Sequence, residues 1–285
     1  MNPQLIRARI LTLGSFVINF ACQLYGMISS PNMKEIADAN HYAYSPNPIF
    51  IAAFFAFQVV VQIYWISKLF IASSTPESPK YNHRIILPGG IEEVDADMLS
   101  AHSTNEPEPS QMAYAPIYAL GNLCIGGWMI FWMKGMFWAS QALVTVNTVI
   151  QLYAVYYILG RSSPFALSRT NILTHLVAKT FAGIGVLDIL DNGAVAARYA
   201  GPPSRLVQGV TAVLLALLAI SSDLIFALCL MYDTTALVVG QPTWRLSLSV
   251  ITGITALIVL AKASLTWNNR AGAASTGGSE GQLRR

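Results

Sequence analysis

Charge is scarce in this sequence: 11% of its 285 residues are Asp, Glu, Lys or Arg, against 54% hydrophobic. An ordinary soluble domain carries about a quarter charged residues, so that class is excluded. The net charge of +3 comes from scattered Lys and Arg. No basic stripe with interleaved aromatics is present, which argues against nucleic acid as a partner. Cysteine is rare as well. Cys22, Cys124 and Cys229 lie singly in apolar segments, so neither a disulfide framework nor a zinc site is expected. There is no Asn-x-Ser/Thr sequon to mark a luminal loop. Signatures of catalysis and cofactor binding are missing too: HExxH, the P-loop and the dinucleotide fingerprint do not occur. No cofactor and no metal are expected, and a non-enzymatic role is favoured.

What the chain has is a series of apolar runs long enough for about 30 Å of hydrocarbon, separated by polar breaks. The pattern predicts an all-α, polytopic membrane bundle of seven helices: about 9–28, 49–72, 114–133, 137–160, 171–190, 206–231 and 244–264. The lipid bilayer is the expected surrounding. Arg7 and Arg9 precede the first run, but no small-x-small cleavage site ends it, so it reads as a retained helix. Residues 1–72 hold the first two helices, and 114–264 the other five. Between them, 73–113 carries seven of the fourteen acidic residues and repeated prolines, which predicts a disordered loop. The tail 265–285, rich in Gly, Ala and Ser, is likewise expected to be disordered. An odd number of helices puts the termini on opposite sides. The loop charges favour a cytoplasmic N-terminus, while the basic tail pulls the other way.

The segment 171–190 (NILTHLVAKTFAGIGVLDIL) holds His175 and Lys179 well inside an apolar run. An unpaired lysine in hydrocarbon costs at least a few kcal/mol. The segment 206–231 supplies a partner, because Asp223 is its only charge after Arg205. If the two segments are antiparallel neighbours, Lys179 and Asp223 both sit roughly 12 Å below one membrane face. They are expected to pair, with His175 one turn from Lys179.

Polar residues recur at i, i+4 on single helix faces: Asn19 and Gln23, Gln58 and Gln62, Asn147 and Gln151, and His175 and Lys179. Asn122 sits in mid-helix. Such faces should point into a bundle, either as interhelical hydrogen-bonding glue or as the lining of a polar cavity. Trp65, Trp138, Trp244 and Trp267 lie near helix ends and fit interfacial belts. Trp128, which shares a face with Trp132, is well inside its helix and fits packing or an apolar pocket. Asp188 and Asp191 end the fifth helix, with Asp188 turned half a circle from Lys179.

The stretch EIADANHYAYSPNPIFIAAFFAFQVVVQIYWISKLF (35–70), followed by YALGNLCIGGWMIFW (118–132), QALVTVNTVIQLYAVYYIL (141–159) and SPFALSRTNILTHLVA (163–178), resembles the tryptophan-rich sensory protein relatives of the TspO/peripheral benzodiazepine receptor group. The likeness covers most of the chain as a pattern with a few matching residues. Phe54 stands where that family has Trp, and its "GW" is replaced around Thr170-Asn171. His175, Lys179 and Asp223 lie outside the family pattern. The resemblance implies a helical bundle binding a sterol- or porphyrin-like molecule, with Trp128, Trp132, Phe54 and Tyr118 at the matching positions.

The leading expectation is a protein that binds or carries a small, largely apolar ligand. Trp128 and Trp132 would give contact area, while Asn122, Gln151 and Asn19 orient polar groups. The alternatives are a proton-coupled transporter using Asp223, Lys179 and His175, a membrane enzyme on a lipid-soluble substrate, and a scaffold acting through 73–113.

Overall fold

The computed structural model describes residues 3–71, 108–160 and 168–282, with side chains as far as Trp267. Regular structure among them is entirely helical. In chain order the helices are α1 (Pro3–Ile28), α2 (Met33–Ala39), α3 (Pro48–Ser67), α4 (Pro109–Met133), α5 (Phe137–Tyr153), α6 (Arg169–Ala196), α7 (Arg205–Ser221), α8 (Leu224–Gly240) and α9 (Arg245–Gln282). A π-turn, Ala154–Ile158, prolongs α5, and a 3₁₀ turn, Pro242–Trp244, leads into α9. Five spans, namely α1, α3, α4, α6 and Pro242–Trp267, are long and apolar enough to cross a membrane; α7 and α8 are shorter apolar helices.

Local chemistry sets the helix starts. Asn32 and Glu35 form a capping box at α2. Asn47 caps α3 with Pro48 in the first turn, and Ser168 and Ser204 cap α6 and α7. Pro109 opens α4, five residues before the expected start; the rest of the predicted loop 73–113 falls almost wholly outside the described residues. Gly135 adopts a left-handed φ of 67° and turns α4 back into α5. At the other end of the chain, α9 runs to Gln282 rather than yielding to a disordered tail at 265.

The largest departure from the sequence reading is at 206–231, which is two helices and not one. Ser222 and Asp223 are both extended, and the chain reverses there. Thr211 of α7 reaches Tyr44, whose ring lies 5.2 Å from that of Trp244 at the start of α9. Ser221, at the far end of α7, is instead beside Tyr156, and Ser222 beside Lys262. Thus α7 runs alongside α9 in the same direction, and α8 runs back against both. The bundle therefore has a loop end and a tip end. At the loop end, Ala43 donates to Tyr199 O, Trp244 Nε1 to Ala43 O, and Gln241 Nε2 to Tyr42 O and Ser45 O. At the tip end, Arg9 donates to Leu69 O, and the α7–α8 hairpin turns.

Helix α6 is the axis of the bundle. Its most apolar stretch is 67% buried, against 17% for that of α1 and 22% for that of Pro242–Trp267. The outer helices turn apolar side chains outward: Leu206, Val213, Leu246 and Leu257 are all more than half exposed. Trp138 and Trp267 are exposed as a belt would require, but Trp65 and Trp244 are buried and hydrogen-bonded within the fold.

Candidate functional site

Lys179 lies in the middle of α6 and is 4% exposed. Its Nζ forms an ion pair with Asp223 Oδ2. The second carboxylate oxygen, Oδ1, accepts the Phe226 amide at 3.1 Å and so caps the N-terminus of α8. One side chain thus neutralises a buried cation and satisfies a helix end whose dipole favours negative charge. The adjacent carbonyls of Ile220 and Ser222, which end α7, accept from Lys262 Nζ of α9. The hairpin tip is therefore held by two lysines from two helices. His175, one turn before Lys179, is fully buried beside the pair.

Pairing does not arise in the way the sequence suggested. The sequence reading placed Lys179 and Asp223 on antiparallel helices at equal depth. In the structure, α8 is parallel to α6: Asp223 meets Lys179, the Cys229 thiol points at Thr180 O, and Gly183 faces Cys229 and Asp233. A Cβ on Gly183 would collide with Cys229 Sγ, so glycine is what lets α8 approach α6.

The amide faces all turn inward and link helices in two strings. In the first, Gln23 Nε2 donates to Asn19 Oδ1, and Asn19 Nδ2 to Asn122 Oδ1 at 2.8 Å, joining α1 to α4. One turn earlier on α4, Tyr118 OH donates to Gln62 Oε1 at 2.6 Å; Gln62 donates to Gln58, and Gln58 to Thr180 of α6. In the second, Tyr114 OH donates to Gln151 Oε1 at 2.7 Å, and Gln151 Nε2 to Asn147 Oδ1. Amides that pair with one another across helices fit the gluing role, although Asn147 Nδ2 is buried with no hydrogen-bond partner among the described residues. The first string ends on Thr180, the residue after Lys179 on α6.

The positions grouped by the family resemblance fall on separate seams. Trp128 and Trp132 pack on each other at 5.8 Å, and Trp132 on Phe137 at 5.1 Å, between α4 and α5. Phe54 packs on Tyr232 of α8. Tyr118 lies in an aromatic cluster with Trp65, Tyr114 and Phe181. The Trp128 indole N–H is buried with no hydrogen-bond partner among the described residues.

Asp233 escaped the sequence reading, which put it in a loop after the sixth helix. It is 3% exposed in the middle of α8. The signal that could have found it is the Ser222-Asp223 break: a helix capped at 223 necessarily carries Asp233 three turns inside. Asp191, at the far end of α6, accepts from Ser45 Oγ at 2.9 Å, and Asp188 lies within electrostatic reach of both Asp191 and Asp233. No group of His, Cys, Asp and Glu among the described residues is arranged to hold a metal ion. Compared with known proteins, the chain matches no family model, no curated protein and no solved structure.

Proposed function

We propose that this chain is a multi-pass membrane carrier that moves a small molecule across a bilayer in exchange for, or together with, protons. The observation that carries this reading is the Lys179–Asp223 pair at a helix break. Charges inside a membrane bundle are costly and are retained where ions or substrates pass. A helix end that lies inside a bundle supplies polar groups at such a site. Here a single carboxylate holds both the break and the lysine. A proton arriving at Asp223 removes the charge that fixes Lys179, and the α7–α8 hairpin then has a reason to move. The inverted surface supports a lipid setting, with Gln58, Asn122 and Asn147 inside and leucines outside. In this reading α7 and α8 each cover about 25 Å and act as an additional down-and-up pair, so the chain makes an even number of passes.

Reconstituted protein tests the proposal. Charge movement on a solid-supported membrane is recorded while amines, amino acids, organic acids and sugars are perfused with and without a proton gradient. One class should give a saturable, pH-dependent current that Asp223→Asn abolishes when equal amounts of folded protein are reconstituted. The reading fails if no class gives a current, or if folded Asp223→Asn protein carries the wild-type current.

The apolar-ligand reading retains one favourable observation, the buried and unpartnered Trp128 N–H beside Trp132. Under it, a sterol or porphyrin quenches tryptophan fluorescence saturably, and Trp128→Phe removes that response.

A further inference from the structure

The seam between α6 and α8 holds a second ionisable group that the Lys179–Asp223 pair does not use. Asp233 lies about three turns beyond Asp223 on α8, toward the loop end. Its Oδ1 is buried with no hydrogen-bond partner among the described residues. Its Oδ2 has only the Cys229 thiol, at 3.9 Å. The side chain lines a small cavity walled by Leu187, Leu190, Leu215, Leu230 and Leu237. Thr234, the other polar residue of that wall, already donates its hydroxyl to Met231 O at 3.0 Å.

The titratable groups around Asp233 carry no compensating charge. Asp188 of α6 is within electrostatic reach, with Asp191 beyond it. Cys229 and Tyr232 come from α8 itself, and the Tyr232 phenol is committed to Phe50 O. Leu215 is what α7 presents. Among the described residues Asp233 makes no ion pair. An ionised carboxylate in such a place is far costlier than the neutral acid, and a second carboxylate close by raises that cost. Asp188 and Asp191 are half-buried, and Asp191 accepts from the buried Ser45 at the loop end.

We infer that Asp233 is a proton-binding site inside the bundle. The inference deepens the carrier reading, on which its role rests, by adding to Asp223 a second acid that holds a proton within the bundle. The site takes a proton rather than a metal: no group of His, Cys, Asp and Glu among the described residues is arranged to hold one, and its walls are mostly leucine.

Dicyclohexylcarbodiimide tests it, because this apolar reagent adds to protonated carboxyls within membranes. The acid oxygen bonds to the central carbon of the carbodiimide and its proton passes to nitrogen. Acyl migration then leaves an N-acylurea that retains the whole reagent. Peptide mapping of protein in liposomes should find the adduct on Asp233 and not on Asp223. Labelling should fall about tenfold per pH unit above the titration midpoint, and Asp233→Asn should remove it. Asp233→Glu, should the asparagine variant fold poorly, must still be labelled, with a shifted midpoint. Overturning results are no adduct on Asp233 at acidic pH, a rate independent of pH, or protection when sodium replaces choline. Labelling without any transport current would keep the site and sink the carrier. A current abolished by Asp223→Asn with no Asp233 adduct would do the reverse.

Discussion

The Asp223 carboxylate is divided between two partners: one oxygen pairs with Lys179 of α6, and the other caps α8 through the Phe226 amide. Electrostatics and backbone geometry at the hairpin tip therefore depend on one side chain. They can be separated experimentally, because asparagine caps a helix about as well as aspartate but cannot neutralise a lysine.

Asp223→Asn should thus keep the break and lose only the charge, and Lys179→Met should strand Asp223. Removing one partner of a buried pair costs about 3 kcal/mol, whereas replacing both costs much less. Unfolding in detergent of the two single variants and the double should give a coupling energy above about 1 kcal/mol. Additive effects would mean that the pair contributes nothing to folding.

Gly183→Ala places a methyl group against Cys229 Sγ. Overpacking of this kind costs about 1–3 kcal/mol. Adding Cys229→Ala removes the obstructing sulfur and should restore most of the lost thermal stability. If the double variant is no better than Gly183→Ala, contact between α6 and α8 is not what glycine serves.

Tyr118→Phe deletes the donor to Gln62 Oε1 and leaves that buried oxygen without it. The expected loss is about 1–2 kcal/mol. Tyr118→Phe combined with Gln62→Leu should be milder than Tyr118→Phe alone, since no orphan remains. Thermal unfolding of the three variants decides the matter, and equal losses would show that the string contributes little.

Tyr44 gives a pH-dependent contact outside the helical spans. Burial raises its pKa above the ordinary 10.0, partly offset by the hydrogen bond with Thr211. The folded state therefore prefers the neutral phenol. Its contribution is fully present below pH 10.0 and is lost as pH rises through the higher folded value. Tyrosinate absorbance should show one late-titrating phenol that disappears in Tyr44→Phe. Docking of 42–47 on α7, followed by limited proteolysis, should weaken only at strongly alkaline pH.

The reversal at Ser222-Asp223 predicts that the two ends of the chain are exposed on one side. Cysteines placed at Leu5 and Trp267, in a background lacking Cys22, Cys124 and Cys229, should react with an impermeant maleimide from the same side of sealed vesicles. Labelling from opposite sides would return the seven-pass arrangement.

Much of this arrangement could be read from residue types alone. A lysine in an apolar run must find an anion, and Asp223 was the nearest candidate by composition. The i, i+4 amides had to face inward because lipid offers them no partner, and Gln58, Gln62, Asn147 and Gln151 are all buried. Asp233 could not be placed, because its burial follows from where the preceding helix stops. Averaged over the length of a membrane span, 206–231 is one hydrophobic run, and two cap-forming residues barely disturb it.

The sequence by itself determined an all-helical chain with apolar spans, the inward direction of its polar faces, and the need of Lys179 for a partner. These follow from the cost of unsatisfied polar groups in hydrocarbon, which acts on each helix separately. Only the tertiary structure decided that the chain turns at Ser222-Asp223, that α8 runs parallel to α6, and that Asp233 is buried against Gly183 of α6. Those outcomes depend on Lys179 and Lys262, from two other helices, meeting the carboxylate and carbonyls of the turn. Such long-range contacts leave no periodic trace in the sequence.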